Sequence, residues 1–409
     1  MKYINLLITI VFLVWISVTD SYVSAEEHVV TNYDITLEEA VDIQVNVAGN
    51  PITDLYKDAP AFLQIEDLEF VGPNKISVLL ANMRTEPALD AEVAYRLAQS
   101  TSVQIIDVVS GDVYQDNPLW YKIAYNGENY YIHTDLVTAN QVRAVDDTKI
   151  YEGPEKDQHT FGELKEGETL TIAKLDTQWI QVYYQYWRSP KPEDVKKFLE
   201  PDRADENMFQ HIRLDESIGV SASELNSVLE GKGILEGLGQ AFIDGGKKHS
   251  INEVYLISHA FHETAFGTSE LANGIEVGFN DKKEPVVVTE KNREDLKKIK
   301  TVYNMFGIGA ADSCPLDCGA KTAYENKWFT PEKAIQEGAA WIGKDYIYNE
   351  FEQNTLYKMK WNPKMAEGHY WKQYATDIGW AEKQTAEMKE IYDQLENPQF
   401  SYDVPEYKE

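Results

Sequence analysis

Three side chains in the stretch SINEVYLISHAFHETAFG, residues 250 to 267, could do chemistry: His259, His262 and Glu263. The stretch reads as one helix. Ser250 followed three residues later by Glu253 has the capping-box pattern, and Gly267 supplies a stop. At 3.6 residues per turn, Val254, Ile257, Phe261 and Ala265 share a buried stripe, while Glu263 falls about half a turn away, in line with Leu256 and His259. Glu263 is therefore expected off the core, in the last turn. Unpaired carbonyls and the negative end of the helix dipole oppose ionisation there, so its pKa should rise, as a general acid requires. Taken alone, the helix also allows a merely solvated glutamate. The zinc pattern H-E-x-x-H fails because Phe266 stands where the second histidine is needed, so neither a metal nor another cofactor is expected.

The elements that must position this helix lie in a mostly helical domain over 205–400, behind a proline- and charge-rich linker at 189–204. Ser221 and Glu224 form another capping box. Residues 276–290 read as a β-hairpin around Asn280-Asp281. Thr330-Pro331-Glu332 opens a helix whose packed face is Ala334, Ile335, Gly338, Ala339 and Ile342, with Trp341 in the core. Gly338 should let a neighbouring helix approach closely. A last helix runs from about Trp380 to Leu395.

Upstream, an internal repeat is visible. RLAQSTSVQI (96–105) aligns with ELKEGETLTI (163–172), and WYKIAY (120–125) with WIQVYY (179–184). Both copies are short alternating segments with turn residues between, which implies small all-β barrels at 78–140 and 141–188. Trp120 and Trp179 read as barrel core. The second copy runs into YWRSPKPEDV, which leaves its last strand unassigned. Residues 26–77 read as a lead-in that packs on the next domain. Residues 1–25, with Lys2, an apolar run and Val23-Ser24-Ala25, read as a secretory signal. The protein is thus expected to be secreted, extracellular or wall-associated, with no membrane contact after signal cleavage.

At 409 residues and a formal net charge of −30, the chain can build several cores but lacks the clustered cations that nucleic acid or anionic lipid requires. Its two cysteines, Cys314 and Cys318, should close a small disulfide loop.

Read together, SHAFHETAFGTSELA (258–272), YNMFGIGAADS (303–313) and WNPK…QYATDIGWA (361–381) resemble the glucosaminidase family of bacterial wall hydrolases, glycoside hydrolase family 73, over about 205–395. The repeat resembles bacterial SH3-like domains. The resemblance implies a multidomain chain, SH3-like barrels followed by a mainly α, lysozyme-like (α+β) catalytic domain with a β-hairpin. It implies Glu263 as the acid, His259 at the family's histidine, and Tyr374 beside the reacting sugar. Tyr303, Asn304, Phe306 and Gly307 would line the groove, and the bond cut would join N-acetylglucosamine to N-acetylmuramic acid in peptidoglycan. Partners would then be glycan strands, with wall peptides held by the SH3-like domains, and a monomer is expected.

Glycoside cleavage needs a proton on the leaving oxygen and stabilisation of an oxocarbenium-like centre. Either a hairpin carboxylate (Glu276, Glu284 or Glu290) or the substrate's own acetamido oxygen could supply the second, with Tyr374 orienting the acetamido group. Phe306, Tyr324, Trp328 and Trp371 could stack on sugars or pack the core. His262 reads as a surface histidine, and Asp377 as a local cap or salt-bridge partner. A wall-binding protein with a degenerate catalytic domain, and a lytic transglycosylase on the same fold, are the competing readings.

Overall fold

The computed structural model describes residues 28–48, 50–201, 208–311 and 313–409. The signal-like segment 1–25 lies outside them. The Tyr402–Lys408 strand pairs in parallel with the His28–Thr36 strand. The Leu37–Asp42 helix follows, started by a capping box between Thr36 and Glu39. Its Ala40 and Val41 pack with Tyr33, Tyr357 and Trp361. Residues 28–48 are thus a wall of the helical domain, not a lead-in to the β domains.

The buried Lys358 ammonium fastens this wall. It donates to Asp403 Oδ2 at 2.5 Å, Thr31 Oγ1 at 2.8 Å and Asn354 Oδ1 at 2.9 Å. Removing one partner of a buried pair leaves an uncompensated charge, so Lys358→Met is expected to cost about 3 kcal/mol in chemical denaturation. A loss within the scatter of surface substitutions would contradict this role.

The first β domain is a five-stranded sheet in the order Val93–Ala98, Leu80–Arg84, Glu128–His133, Asn117–Tyr125, Gln104–Tyr114. Trp120 is core, its indole N–H donating to the Asp112 carbonyl at 2.9 Å. The second β domain is not confined to 141–188. Its seven-stranded sheet takes in Ala61–Gln64 and Leu68–Val71 from upstream. Ala61–Gln64 pairs with Trp179–Tyr183, so an edge left unassigned after the second copy is completed by chain that precedes the first. The first β domain is therefore inserted into the second. Trp179 is half-buried rather than core and faces a cleft of about 860 Å³ between the two sheets.

The supposed linker contains the Pro192–Leu199 helix. Pro192 occupies its first turn, where a missing N–H costs nothing, and Val195 and Leu199 are fully buried beside Val41. Its proline content marked a helix start.

The helical domain surrounds the Glu253–Thr264 helix, which is buried on nearly every side. Ser250 does not cap it. Ser250 is the left-handed residue ending the preceding Gly239–His249 helix, and Asn252 caps the next by accepting from the Tyr255 amide. Glu253 turns inward, accepting from Ser217 Oγ at 2.6 Å and the Ile218 amide at 2.9 Å. Ser221 and Thr330 cap their helices as read from sequence. The hairpin exists, Ile275–Phe279 against Pro285–Val287, and Lys297–Val302 adds a third strand. Gly338 admits the Phe306 ring rather than a helix, and Gly245 makes the close approach to Ala339. A disulfide joins Cys314 to Cys318 with the Cα atoms 5.4 Å apart, across the first turn of the Pro315–Glu325 helix.

Candidate active site

Glu263 is the penultimate residue of its helix. The chain leaves through three successive left-handed residues, Ala265, Phe266 and Gly267. Gly267 is required there, because a Cβ would collide with the Lys232 carbonyl. The turn holds the last helical residues at the rim of a cleft. Glu263 is 38% exposed in its side chain, and desolvation raises its carboxyl pKa above the ordinary glutamate value. The direction matches the sequence reading, but partial burial in the cleft is the cause.

His259, one turn earlier, keeps only 10% of its side chain exposed. Its pKa falls to about 4, first through desolvation and then through repulsion from His262. It is neutral at physiological pH, so the 3.8 Å approach of Nε2 to Glu263 Oε1 is not an ion pair. Tyr255 Oη lies 3.3 Å from Nδ1, and Tyr374 Oη lies 3.4 Å from Nε2. Tyr255 Oη also donates to Met359 Sδ at 3.7 Å. The tautomer that satisfies all three contacts carries the proton on Nδ1 and accepts from Tyr374 at Nε2. Burial, and then the Glu263 charge, push the Tyr374 phenol well up, so it stays protonated. Its ring stacks on Trp380, with centroids 4.4 Å apart and planes 18° apart.

Tyr374 and His259 lie between two cavities. One, about 150 Å³, holds Glu263, His262, Trp380 and Gln384. The other, about 200 Å³, is lined by Phe306, Trp341, Asp345 and Tyr346. The result is a short, aromatic-lined groove with the Glu263 carboxyl in one cavity and Asp345 in the other. Across from the acid, Gly307 has φ +62, and a Cβ there would collide with Glu263 Oε2.

Several residues expected at the groove are elsewhere. Asn304 is buried, and its amide holds the 304–308 turn by donating to the Ile308 carbonyl at 2.8 Å and accepting from the Phe306 and Ile308 amides. It has no capacity left for a sugar. Tyr324 is core, its hydroxyl donating to the Lys298 carbonyl at 2.7 Å, and Trp328 is core as well. Tyr303 is half-buried, packed against the core. Trp341, expected in the core, is 41% exposed at the groove. It follows Gly338 by three residues, at the flank of the packed stripe rather than its centre. Trp371 is 64% exposed. None of the hairpin acids lines the Glu263 cavity: Glu276 pairs with Arg293, Glu284 accepts from Asn280 at 2.9 Å, and Glu290 is exposed. Asp377 caps the Gly379 amide at 3.0 Å and pairs with Lys383 at 2.8 Å. Tyr255 and Tyr346 went unread, although the four-residue spacing of Tyr255 to His259 was a usable signal.

Residues 239–393 match the family model described as mannosyl-glycoprotein endo-beta-N-acetylglucosaminidase, and residues 77–138 match the bacterial SH3 domain. The chain is 40% identical over 289 residues to a beta-N-acetylglucosaminidase of Bacillus subtilis (strain 168), a match covering 69% of this chain and 30% of the relative. It is 41% identical over 225 residues to a bifunctional autolysin of Staphylococcus aureus (strain NCTC 8325 / PS 47), covering 54% of this chain and 17% of the relative. The crystal structure of S. aureus glucosaminidase B is 33% identical, with a TM-score of 0.44 over 54% of this chain and 80% of that one. The chain spans 30% or less of the length of these two curated relatives. It carries a glucosaminidase-family domain over residues 239–393 and a bacterial SH3 domain over residues 77–138.

Proposed function

We propose that this chain is an exported hydrolase that cuts the β-1,4 bond between N-acetylglucosamine and N-acetylmuramic acid in peptidoglycan, with Glu263 as the general acid. One observation carries the reading: a partly desolvated carboxyl, its pKa raised, ends an aromatic groove within a glucosaminidase-family domain. Export rests on the leader-like sequence at 1–25.

In the reaction, Glu263 delivers its proton to the glycosidic oxygen as the bond to C1 breaks. Glu263 is the carboxylate lining its own cavity, and Asp345 lines the adjoining one beyond His259 and Tyr374, while Tyr374 stands beside Glu263. That favours attack on C1 by the substrate's acetamido oxygen, followed by water opening the ring so formed. Tyr374 suits the task of orienting that group. Its O–H is directed to His259 Nε2, which leaves its oxygen to accept from the acetamido N–H. Neutral His259 is a positioning residue in this scheme, and the SH3 domain with its partner sheet would hold wall peptides.

Mass analysis of the soluble products from purified sacculi tests the proposal. A reducing N-acetylglucosamine end is expected. Anhydromuramic ends would instead indicate transglycosylation, and an absence of soluble product would indicate a wall-binding role.

A further inference from the structure

The loop that carries Tyr374 is tied on both sides to chain far outside the family domain. Before Tyr374, Gln373 Nε2 donates to Gln44 Oε1 at 2.7 Å, and Gln44 is buried with its own amide directed at Met365 Sδ, 3.7 Å away. Beneath the loop, buried Lys360 donates to Gln373 Oε1 at 2.8 Å and to the Ala375 carbonyl at 2.9 Å. Burial lowers the Lys360 pKa to about 7, and neutral or charged it retains donors for these oxygens. After Tyr374, the Ile52 amide donates to the Thr376 carbonyl at 3.2 Å, and the Ile378 amide donates to the Ile52 carbonyl at 3.0 Å. Lys383 bridges Asp54 and Asp377 at 2.8 Å each. A cavity of about 160 Å³ between the two segments is lined by Gln44, Pro51, Lys360 and Tyr374 itself.

We infer that residues 44–48 and 50–54 are a working part of the active site, with Gln44, acting through Gln373 and together with Lys360, as a positioning residue for Tyr374. This rests on the role proposed above for Tyr374. A phenol that must accept one hydrogen bond from the substrate while donating another to His259 has to be held within a fraction of an ångström. Its own loop has no regular secondary structure between Gln373 and Thr376, so the Tyr374 amide bond to the Met359 carbonyl at 3.0 Å and the Trp380 stack are completed by the bonds to Gln44, Lys360 and Ile52 on either side.

The test uses the full chain. Gln44→Met keeps the volume and removes the acceptor. It is expected to lower kcat on sacculi about ten-fold with KM changed less than about two-fold, the size of one lost hydrogen bond in the transition state. In a Tyr374→Phe background the same substitution should cost nothing further, because the group being positioned is gone. Amide hydrogen exchange over 373–378 should quicken in Gln44→Met and stay parental elsewhere. An unchanged kcat, or an equal cost in both backgrounds, would overturn the inference. If the parental chain releases no wall fragments, the functional reading fails on its own, and hydrogen exchange alone decides whether Gln44 holds the loop. Should Gln44→Met not fold, Gln373→Met cuts that link together with the Lys360 bond from the partly exposed side, and the same split between the parental and Tyr374→Phe backgrounds is expected.

Discussion

Glu263→Gln should abolish digestion of purified sacculi, with kcat down about 10³-fold and sedimentation with sacculi unchanged. The substitution keeps the shape of the side chain and removes only the transferable proton. Reducing-end release over time measures the loss, and a parental rate would remove Glu263 from the mechanism. The pH dependence follows from the same carboxyl. The acid works while protonated, and desolvation holds its pKa above the ordinary glutamate value, so the active window extends upward in pH by that shift. Activity should then fall as pH rises through the raised pKa. His259, with a pKa near 4, stays neutral through that range and adds no limb of its own. In Glu263→Gln the falling limb should vanish from the residual activity, whereas a limb that persists would belong to another group.

What could be read from the sequence was whatever local rules decide. Ser221 and Thr330 cap helices because the hydroxyl and the amide it accepts from are three residues apart. The place of Glu263 at a helix end followed from the 3.6-residue period. Ser250 misled because S-x-x-E is only a pattern: Glu253 is claimed by Ser217 and Ile218, more than thirty residues upstream, and nothing local announces that. The nesting of one β domain inside the other was invisible for the same reason, since the pairing of Ala61–Gln64 with Trp179–Tyr183 spans more than a hundred residues. Aromatic residues were the least legible. Trp328 and Trp341 are alike in type, and their separate fates, core and groove, depend on which neighbours the fold supplies. Gln44 and Lys360 carried no signal at all, because their meaning lies in a loop that one of them reaches across more than three hundred residues.

Gly307→Ala should cost about 100-fold in kcat, although the substitution adds a single methyl group and removes no functional atom. Two effects combine at this position. The φ of +62 disfavours any residue with a Cβ by about 1 kcal/mol, and the added methyl would occupy space now held by Glu263 Oε2. Gly237→Ala separates them. Gly237 has φ +78 with nothing near its would-be Cβ, so the alanine there should lower stability by a similar amount and leave kcat parental. The displaced carboxyl also predicts an interaction. Glu263→Asp withdraws the carboxylate from Gly307, so adding Gly307→Ala to Glu263→Asp should cost far less than it does in the parent. If the costs are the same in both backgrounds, the methyl acts through the backbone and not through the acid. Because Gly307 belongs to the turn that Asn304 holds and Glu263 to the end of a buried helix, the cycle measures how closely two separately folded elements must meet for the proton to be delivered.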